Sequence, residues 1–252
     1  MTRAIITAAA MVLIVATVGS VVLLVGLVRP SNRLFALSAA LWARVVLFLS
    51  GTRLTVEGDP QTGDGVPRFY MANHQSALDI PILVSALGGN VRFMAKNTLF
   101  RIPVFGWVLW RYGFAPINRS SARETAETLD RMLERLRKHP VSFAVFPEGT
   151  RTRDGKLLPF RRGTMKIGQR SGFPIVPVTI SGSLRVHHRD RFAAHPGPVR
   201  VMFHEPIPPQ RVSEMSPGEL HDRVVGVIAR ELGQPQAAPE LEPVACMAAE
   251  AS

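Results

Sequence analysis

The chain has 252 residues, 46% of them hydrophobic, and carries a formal net charge of +11. This length allows one sizeable core with an appendage, so a single main domain is expected. The positive charge suits a polyanionic partner, such as nucleic acid, anionic lipid or a phosphorylated substrate, and does not choose among them. The single cysteine, Cys246, excludes an intrachain disulfide, and because no Cys/His spacing indicates a zinc site, we expect no metal.

The first predicted element is an uncharged apolar stretch over residues 4–28, bounded by Arg3 and by Arg29. As a helix rising about 1.5 Å per residue it would extend roughly 37 Å, which is enough to cross a bilayer with some tilt. It is longer than the apolar part of a signal peptide, which is usually about 7 to 15 residues. We therefore expect this segment to be retained as a membrane helix.

A second, shorter apolar segment covers residues 34–49 and contains Arg44. Its length and its internal charge favour a helix that lies in the membrane interface or pairs with the first helix. A buried helix of the main domain is the alternative. More arginines follow the first apolar stretch than precede it, which favours the cytoplasmic side for the rest of the chain.

After Gly51 the pattern becomes typical of an α/β domain, in which short β-rich runs are separated by helical periodicity. The domain is predicted to cover residues 52–233. Its strands are predicted at residues 68–71, 91–95, 113–117, 142–146, 175–180 and 199–203.

Capping signals define two helices of this domain. Ser121 and Glu124 form a capping box that opens one helix, and Pro140 ends it. Ser216, followed by Pro217, opens the last helix, which ends at Gly233. Residues 234–252 are rich in Pro, Ala and Glu and are predicted to form a disordered tail.

Polar clusters follow three of the predicted strands. They are Asn73-His74, Asn118-Arg119 and Glu148-Gly149-Thr150-Arg151. Ligands of open α/β sheets bind outside the carboxyl ends of parallel strands. If the three strands run parallel, the clusters are therefore expected to face one site.

His74 and Asp79 are five residues apart, which on one helix would place them about 140° apart. Pro81 is tolerated only in the first turn of a helix, so the helix is predicted to begin near Asp79. The loop before it can then fold the imidazole onto the carboxylate, an arrangement that activates hydroxyl nucleophiles. An ordinary helix cap and a loop histidine remain the alternative.

Four motifs occur in order along the chain. The first is Asn73-His74-Gln75-Ser76-Ala77-Leu78-Asp79. The second combines Lys96-Asn97-Thr98-Leu99, Pro103-Val104-Phe105-Gly106, and Gly113 with Ile117-Asn118-Arg119. The third, which is the most specific, is Phe146-Pro147-Glu148-Gly149-Thr150-Arg151, and the fourth is Val176-Pro177-Val178. On these motifs, residues 70–185 resemble the 1-acyl-sn-glycerol-3-phosphate acyltransferase family, within the wider group of glycerolipid acyltransferases.

The resemblance implies an α/β fold with a central mixed, mostly parallel sheet flanked by helices. It also implies an N-terminal two-helix membrane motif, here within residues 1–51, ahead of a catalytic acyltransferase domain over residues 52–233. His74 is implied to deprotonate the acceptor hydroxyl and Asp79 to orient the imidazole, without an acyl-enzyme. The residues implied to bind the acceptor are Glu148, Gly149, Thr150, Arg151, Arg119 and Lys96.

The implied reaction moves an acyl group from acyl-CoA or acyl carrier protein to the sn-2 hydroxyl of lysophosphatidic acid, without a cofactor. The implied location is the cell membrane, with the catalytic domain on the cytoplasmic face. Another lysophospholipid or a lyso-ornithine lipid is an alternative acceptor. A non-enzymatic basic membrane adaptor is a remote alternative, and nucleic-acid binding is not expected because the aromatic residues do not interleave with basic ones.

Overall fold

A computed structural model describes most of the chain between residues 31 and 235. The described residues are 31–60, 62, 64–103, 105–117, 128, 131–134, 138, 141–188, 190 and 194–235. The predictions for the apolar stretch 4–28, for the capping box at Ser121, for Arg119 and for the tail beyond residue 235 lie outside them.

Seven helices and seven strands are assigned within the described residues. The helices are α1 (Asn32–Leu49), α2 (Asp79–Ala86), α3 (Phe105–Tyr112), α4 (Arg162–Ser171), α5 (Ser183–Val186), α6 (Pro209–Glu214) and α7 (Pro217–Glu231). The strands are β1 (Thr52–Glu57), β2 (Phe69–Ala72), β3 (Val91–Lys96), β4 (Ala115–Ile117), β5 (Ser142–Val145), β6 (Ile175–Ser181) and β7 (Gly197–Phe203). A short 3-10 helix, Asn97–Arg101, links β3 to the loop before α3.

The strands form one sheet in the order β1-β7-β6-β2-β5-β3-β4. Strands β6, β2, β5, β3 and β4 run parallel to one another, whereas β7 runs antiparallel to β6 and parallel to β1. The sheet is therefore mixed and mostly parallel, as predicted. All six predicted strands are confirmed, and β1 was missed. It is an edge strand whose exposed and half-buried residues interleave, so it lacks the apolar run of the central strands.

The central strand β2 shows how the sheet separates two cores. Because successive side chains of a strand point to opposite faces, Phe69 and Met71 enter one apolar cluster and Tyr70 and Ala72 enter the other. Helices α4 and α7 cover the first face, and α1 and α2 cover the second. Burial on both faces explains why β2 is apolar throughout.

Helix α1 confirms the helix predicted at residues 34–49 and lies against α2 and β1. It begins at Asn32, because the side chain of Ser31 accepts a hydrogen bond from the backbone N–H of Leu34 at 3.3 Å. One face is buried in the domain, while Leu37, Leu41 and Phe48 remain exposed. Among the described residues it is the one helix whose length and composition would allow it to cross a membrane.

Candidate active site

Two of the predicted polar clusters come together at the carboxyl ends of β2 and β5. These strands are parallel neighbours, with Phe69 paired to Phe143, so the loops that follow them leave the sheet side by side. The backbone N–H of Thr152 donates to the carbonyl oxygen of His74 at 3.0 Å and joins the two loops. The loops that carry His74 and Glu148 are therefore adjacent, and the third cluster, Asn118-Arg119, lies outside the described residues.

Asn73 fixes the start of the first loop. Its side-chain amide donates to the carbonyl oxygen of Ile180 at 2.9 Å, and its side-chain oxygen accepts from the backbone N–H of Ile180 at 2.7 Å. Asn73 is buried, so these two bonds also satisfy groups that water cannot reach. The pair ties the end of β2 to β6, the strand that contains Val176-Pro177-Val178.

The imidazole of His74 contacts the carboxylate of Asp79. His74 Nδ1 lies 2.8 Å from Asp79 Oδ2, and the same oxygen accepts the backbone N–H groups of Gln75 at 2.6 Å and Ser76 at 2.8 Å. Asp79 is the first residue of α2 and is fully buried, whereas the His74 side chain keeps 13% of its exposure. A proton on Nδ1 is donated to Asp79, which leaves Nε2 of the neutral ring as the basic nitrogen.

An aromatic wall supports the imidazole from the second loop. The ring of Phe146 stacks on His74 with a centroid distance of 4.0 Å and an interplanar angle of 15°. Phe93 lies beyond it, with its ring 6.3 Å from that of Phe146. The sequence placed Phe146 in a motif but gave no indication of this contact, because the contact depends on the pairing of β2 with β5.

Glu148 links the two loops through its carboxylate. Oε1 accepts the backbone N–H of His74 at 2.6 Å, and Oε2 accepts that of Leu158 at 3.1 Å. Burial raises the pKa of Glu148 to about 8, although these two N–H donors oppose the rise. Both oxygens thus hold the backbone in place, and a direct contact between Glu148 and an acceptor stays a prediction.

The guanidinium of Arg161, which was not predicted as a site residue, packs against the turn that follows Glu148. Gly149 adopts φ +67°, and its N–H donates to the carbonyl oxygen of Phe146 at 3.0 Å. A Cβ atom at Gly149 would lie only 2.7 Å from Nε of Arg161, so the guanidinium rests against this glycine. Arg161 was not among the predicted site residues, because no local pattern of the sequence shows which residue approaches Gly149.

Thr150 and Arg151 complete this turn. Thr150 is exposed and Arg151 is half-buried. The carbonyl oxygen of His187 accepts a hydrogen bond from Ser76 Oγ at 2.7 Å, which places His187 next to the first loop. Burial, followed by the nearby charge of Arg151, lowers the pKa of His187. Arg151 therefore lies near His187, which contacts the loop that carries His74.

The remaining predicted residues are only partly described. Lys96 is the last residue of β3 and is paired with Ile117 of β4, and Arg119 lies outside the described residues. Among the residues that the structure describes, no group of three or more His, Cys, Asp or Glu side chains could hold a metal ion.

The fold and the site define an α/β protein with a His–Asp pair at the carboxyl end of a mostly parallel sheet, next to an arginine-bearing turn. Residues 53–181, slightly more than half of the chain, match the family model described as Acyltransferase. The chain belongs to the Acyltransferase family.

Known relatives agree with this assignment. The chain is 36% identical over 171 residues to the chloroplastic 1-acyl-sn-glycerol-3-phosphate acyltransferase BAT2 of Brassica napus, covering 67% of this chain and 49% of that protein. It is 28% identical over 179 residues to the human 1-acyl-sn-glycerol-3-phosphate acyltransferase alpha, covering 71% of this chain and 63% of that protein. It thus spans about half the length of the plant relative.

A solved structure is similar over nearly its full length. The 1-acyl-sn-glycerophosphate acyltransferase PlsC of Thermotoga maritima aligns with a TM-score of 0.76 and 26% identity. The alignment covers 94% of this chain and 99% of that one. The mixed sheet flanked by helices is therefore the fold of that structure.

Proposed function

We propose that the protein transfers a fatty acyl group from an acyl thioester to the sn-2 hydroxyl of 1-acyl-sn-glycerol-3-phosphate, giving phosphatidic acid. The observation that carries this proposal is the His74–Asp79 pair, which the Glu148 loop holds in place through the backbone N–H of His74. The names of the relatives and of the similar structure support the choice of acceptor.

His74 acts as the general base in the proposed mechanism. Nε2 takes the proton of the acceptor hydroxyl while the oxygen attacks the thioester carbonyl carbon. Asp79 keeps the ring in the tautomer that leaves Nε2 free and stabilises the imidazolium that forms. The carbon–sulfur bond then breaks, the new ester bond remains, and the departing thiolate takes the proton back from His74. The protein needs no covalent intermediate for this sequence.

The acceptor phosphate is proposed to bind at the turn that begins with Gly149. Guanidinium groups bind phosphate through two parallel hydrogen bonds, and Arg151 is half-buried beside this turn. Thr150 offers an exposed hydroxyl and Gly149 a close approach to the backbone. Lys96, at the end of β3, and Arg119, which follows β4 in the sequence, are proposed to assist.

The proposed acceptor and product are lipids, so the protein is proposed to work at the cell membrane with its catalytic domain on the cytoplasmic face. The apolar sequence 4–28 and the exposed apolar residues of α1 support a membrane location. The donor is proposed to be acyl-CoA or acyl carrier protein, since both present the same thioester.

The test compares wild type with His74→Ala in membranes supplied with 1-acyl-sn-glycerol-3-phosphate and an acyl thioester, and detects product by mass spectrometry. His195→Ala is the matched control, because His195 is exposed and interacts with Val186 through its backbone. We expect product from wild type and the control and almost none from His74→Ala. Equal turnover in all three would contradict the mechanism.

The choice of acceptor needs a second comparison. Acceptors with and without the phosphate are supplied to wild type and to Arg151→Gln. We expect the wild type to prefer the phosphorylated acceptor and Arg151→Gln to lose most of that preference through a higher KM. A lyso-ornithine lipid or another lysophospholipid acylated faster than lysophosphatidic acid would replace the proposed acceptor and keep the chemistry.

A further inference from the structure

A surface away from the His74–Asp79 pair exposes large apolar side chains. Trp107 and Trp110 of α3 are 47% and 51% exposed. Leu99 of the 3-10 helix and Ile102 just after it are exposed as well. We call these four residues the Trp107 face. Two half-exposed indoles on one helix are unusual for a surface that meets only water, because contiguous exposed apolar patches usually mark an interaction site.

The Trp107 face is formed by two elements that pack against each other. Trp107 and Trp110 are three residues apart and so lie on the same side of α3, while Val108 and Leu109 are buried on its other side. The ring of Phe100 contacts that of Trp110 edge-on with a centroid distance of 5.3 Å, which joins the 3-10 helix to α3. The exposed apolar residues therefore belong to two elements, the 3-10 helix and α3, that are packed together, and not to a single isolated side chain.

The Trp107 face lies on an element that packs directly against α1. Phe35 of α1 stacks on Tyr112 of α3 with a centroid distance of 4.1 Å. Helix α1 exposes an apolar stripe of its own that includes Leu37 and Leu41, and in the sequence it follows the uncharged stretch 4–28. The exposed apolar residues of α3 thus belong to a helix that is in direct contact with α1.

The charges around the Trp107 face fit an anionic lipid surface. Arg101 and Arg111 are exposed at the ends of the 3-10 helix and of α3, and Arg33 and Arg44 are exposed on α1. Tryptophan is enriched where bilayers meet water, and arginine interacts with anionic headgroups. A soluble partner would need a matching apolar surface of its own, whereas a bilayer satisfies the indoles and the guanidinium groups together.

We propose that the Trp107 face docks on an anionic phospholipid bilayer and forms a second membrane contact beside the N-terminal segment. Two separate contacts fix the orientation of the domain against the bilayer, which a single point of attachment does not do. The 3-10 helix of this face follows Lys96 directly, so the docked surface adjoins the edge of the sheet where the site lies. This inference goes beyond the proposed function and does not depend on it.

The chain contains only three tryptophans, Trp42, Trp107 and Trp110, so fluorescence can test the proposal residue by residue. Full-length variants that keep one of them and carry Phe at the other two are reconstituted into phosphatidylcholine–phosphatidylglycerol vesicles. The probes are lipids brominated near the headgroup end or near the terminal methyl of the acyl chain. The substitutions keep an aromatic ring at each place, and thermal unfolding in detergent checks the fold.

A control tryptophan is placed on the other side of the sheet. Arg223→Trp, in a chain with Phe at the three native positions, lies exposed on α7, which covers the opposite face from α1. We expect bromines near the headgroups to quench Trp107 and Trp110 more strongly than bromines near the terminal methyl. We expect the control to be quenched by neither and to remain open to aqueous iodide.

Two outcomes would overturn the proposal. If Trp107 and Trp110 resist brominated lipid and respond to iodide as the Arg223→Trp control does, the Trp107 face is in water. If they resist both quenchers and the variants crosslink as dimers, a second copy of the chain covers the face. Only protein that floats with the vesicles is measured in every case, so neither outcome arises from loss of the protein.

Discussion

Replacement of Asp79 by asparagine tests whether its carboxylate acts in catalysis or only holds the loop before α2. Asp79 Oδ2 accepts hydrogen bonds from His74 Nδ1 and from the N–H groups of Gln75 and Ser76, while Oδ1 is buried without a hydrogen-bond partner among the described residues. An asparagine whose oxygen occupies the Oδ2 position can keep all three bonds. The substitution then removes the negative charge of the Asp79 side chain and keeps its shape.

The size of the effect follows from the charge that is lost. In the transition state the His74 imidazolium faces the carboxylate, and two unit charges about 4 Å apart attract by about 4 kcal/mol at an effective dielectric constant near 20. A loss of that size lowers the rate by about 1,000-fold at 25 °C. It affects kcat and leaves the acceptor KM nearly unchanged, because the residues proposed to bind the acceptor lie on other loops.

The assay measures initial rates of acyl transfer in detergent while the acceptor concentration is varied. Asp222→Asn is the control, because Asp222 is exposed on α7, on the other side of the sheet. A kcat for Asp79→Asn within threefold of wild type, together with lower thermal stability, would refute the reasoning and leave Asp79 as a residue that only holds the loop before α2.

Three further predictions concern the groups that hold His74 in place. The pKa of Glu148 is about 8 in the folded state, whereas its ordinary value in the unfolded state is 4.5. Between these two values the folded state keeps a proton that the unfolded state has released. The free energy of unfolding should therefore fall as pH rises from about 4.5 to 8. Melting curves in detergent should show this fall for wild type and not for Glu148→Gln, and equal slopes would contradict it. Asn73→Ala leaves two buried backbone groups of Ile180 without partners and should lower the free energy of unfolding by about 2 to 4 kcal/mol. Chemical denaturation measures this loss, and Asn90→Ala, at an exposed residue, is the control. Phe146→Leu removes a ring stack worth about 0.5 to 1.5 kcal/mol and should lower kcat several-fold at unchanged acceptor KM. An unchanged kcat would show that the stack does not position His74.

The sequence predicted the fold well where a local pattern has one physical solution. Strand β2 is apolar throughout because helices cover both of its faces, and Pro81 requires a helix that begins near Asp79, as α2 does. The edge strand β1 was missed because exposed and half-buried residues interleave along it, a pattern that loops share. The sequence allowed two interpretations of α1, a helix at the membrane interface and a buried helix of the main domain. The first describes its exposed face and the second its buried face.

The candidate site was predictable in its residues and less so in its contacts. The spacing of His74 and Asp79 allowed a pair, but the stack of Phe146 on the imidazole and the approach of Arg161 to Gly149 depend on which strands are neighbours. Glu148 was expected to face the acceptor, and its carboxylate binds backbone N–H groups of both loops. Such tertiary contacts join residues far apart in the sequence, and no local pattern predicts them.

The hydrogen bonds of His74 explain why both loops are needed for one base. The backbone N–H of His74 donates to Glu148 and its carbonyl oxygen accepts from Thr152, so the second loop holds the residue at both peptide groups. Asp79 holds the ring from the start of α2, directly after the first loop. A base fixed in advance spends no energy on reorientation during the reaction. A change in either loop should therefore reduce kcat through the position of His74, even where the altered residue never touches the substrate.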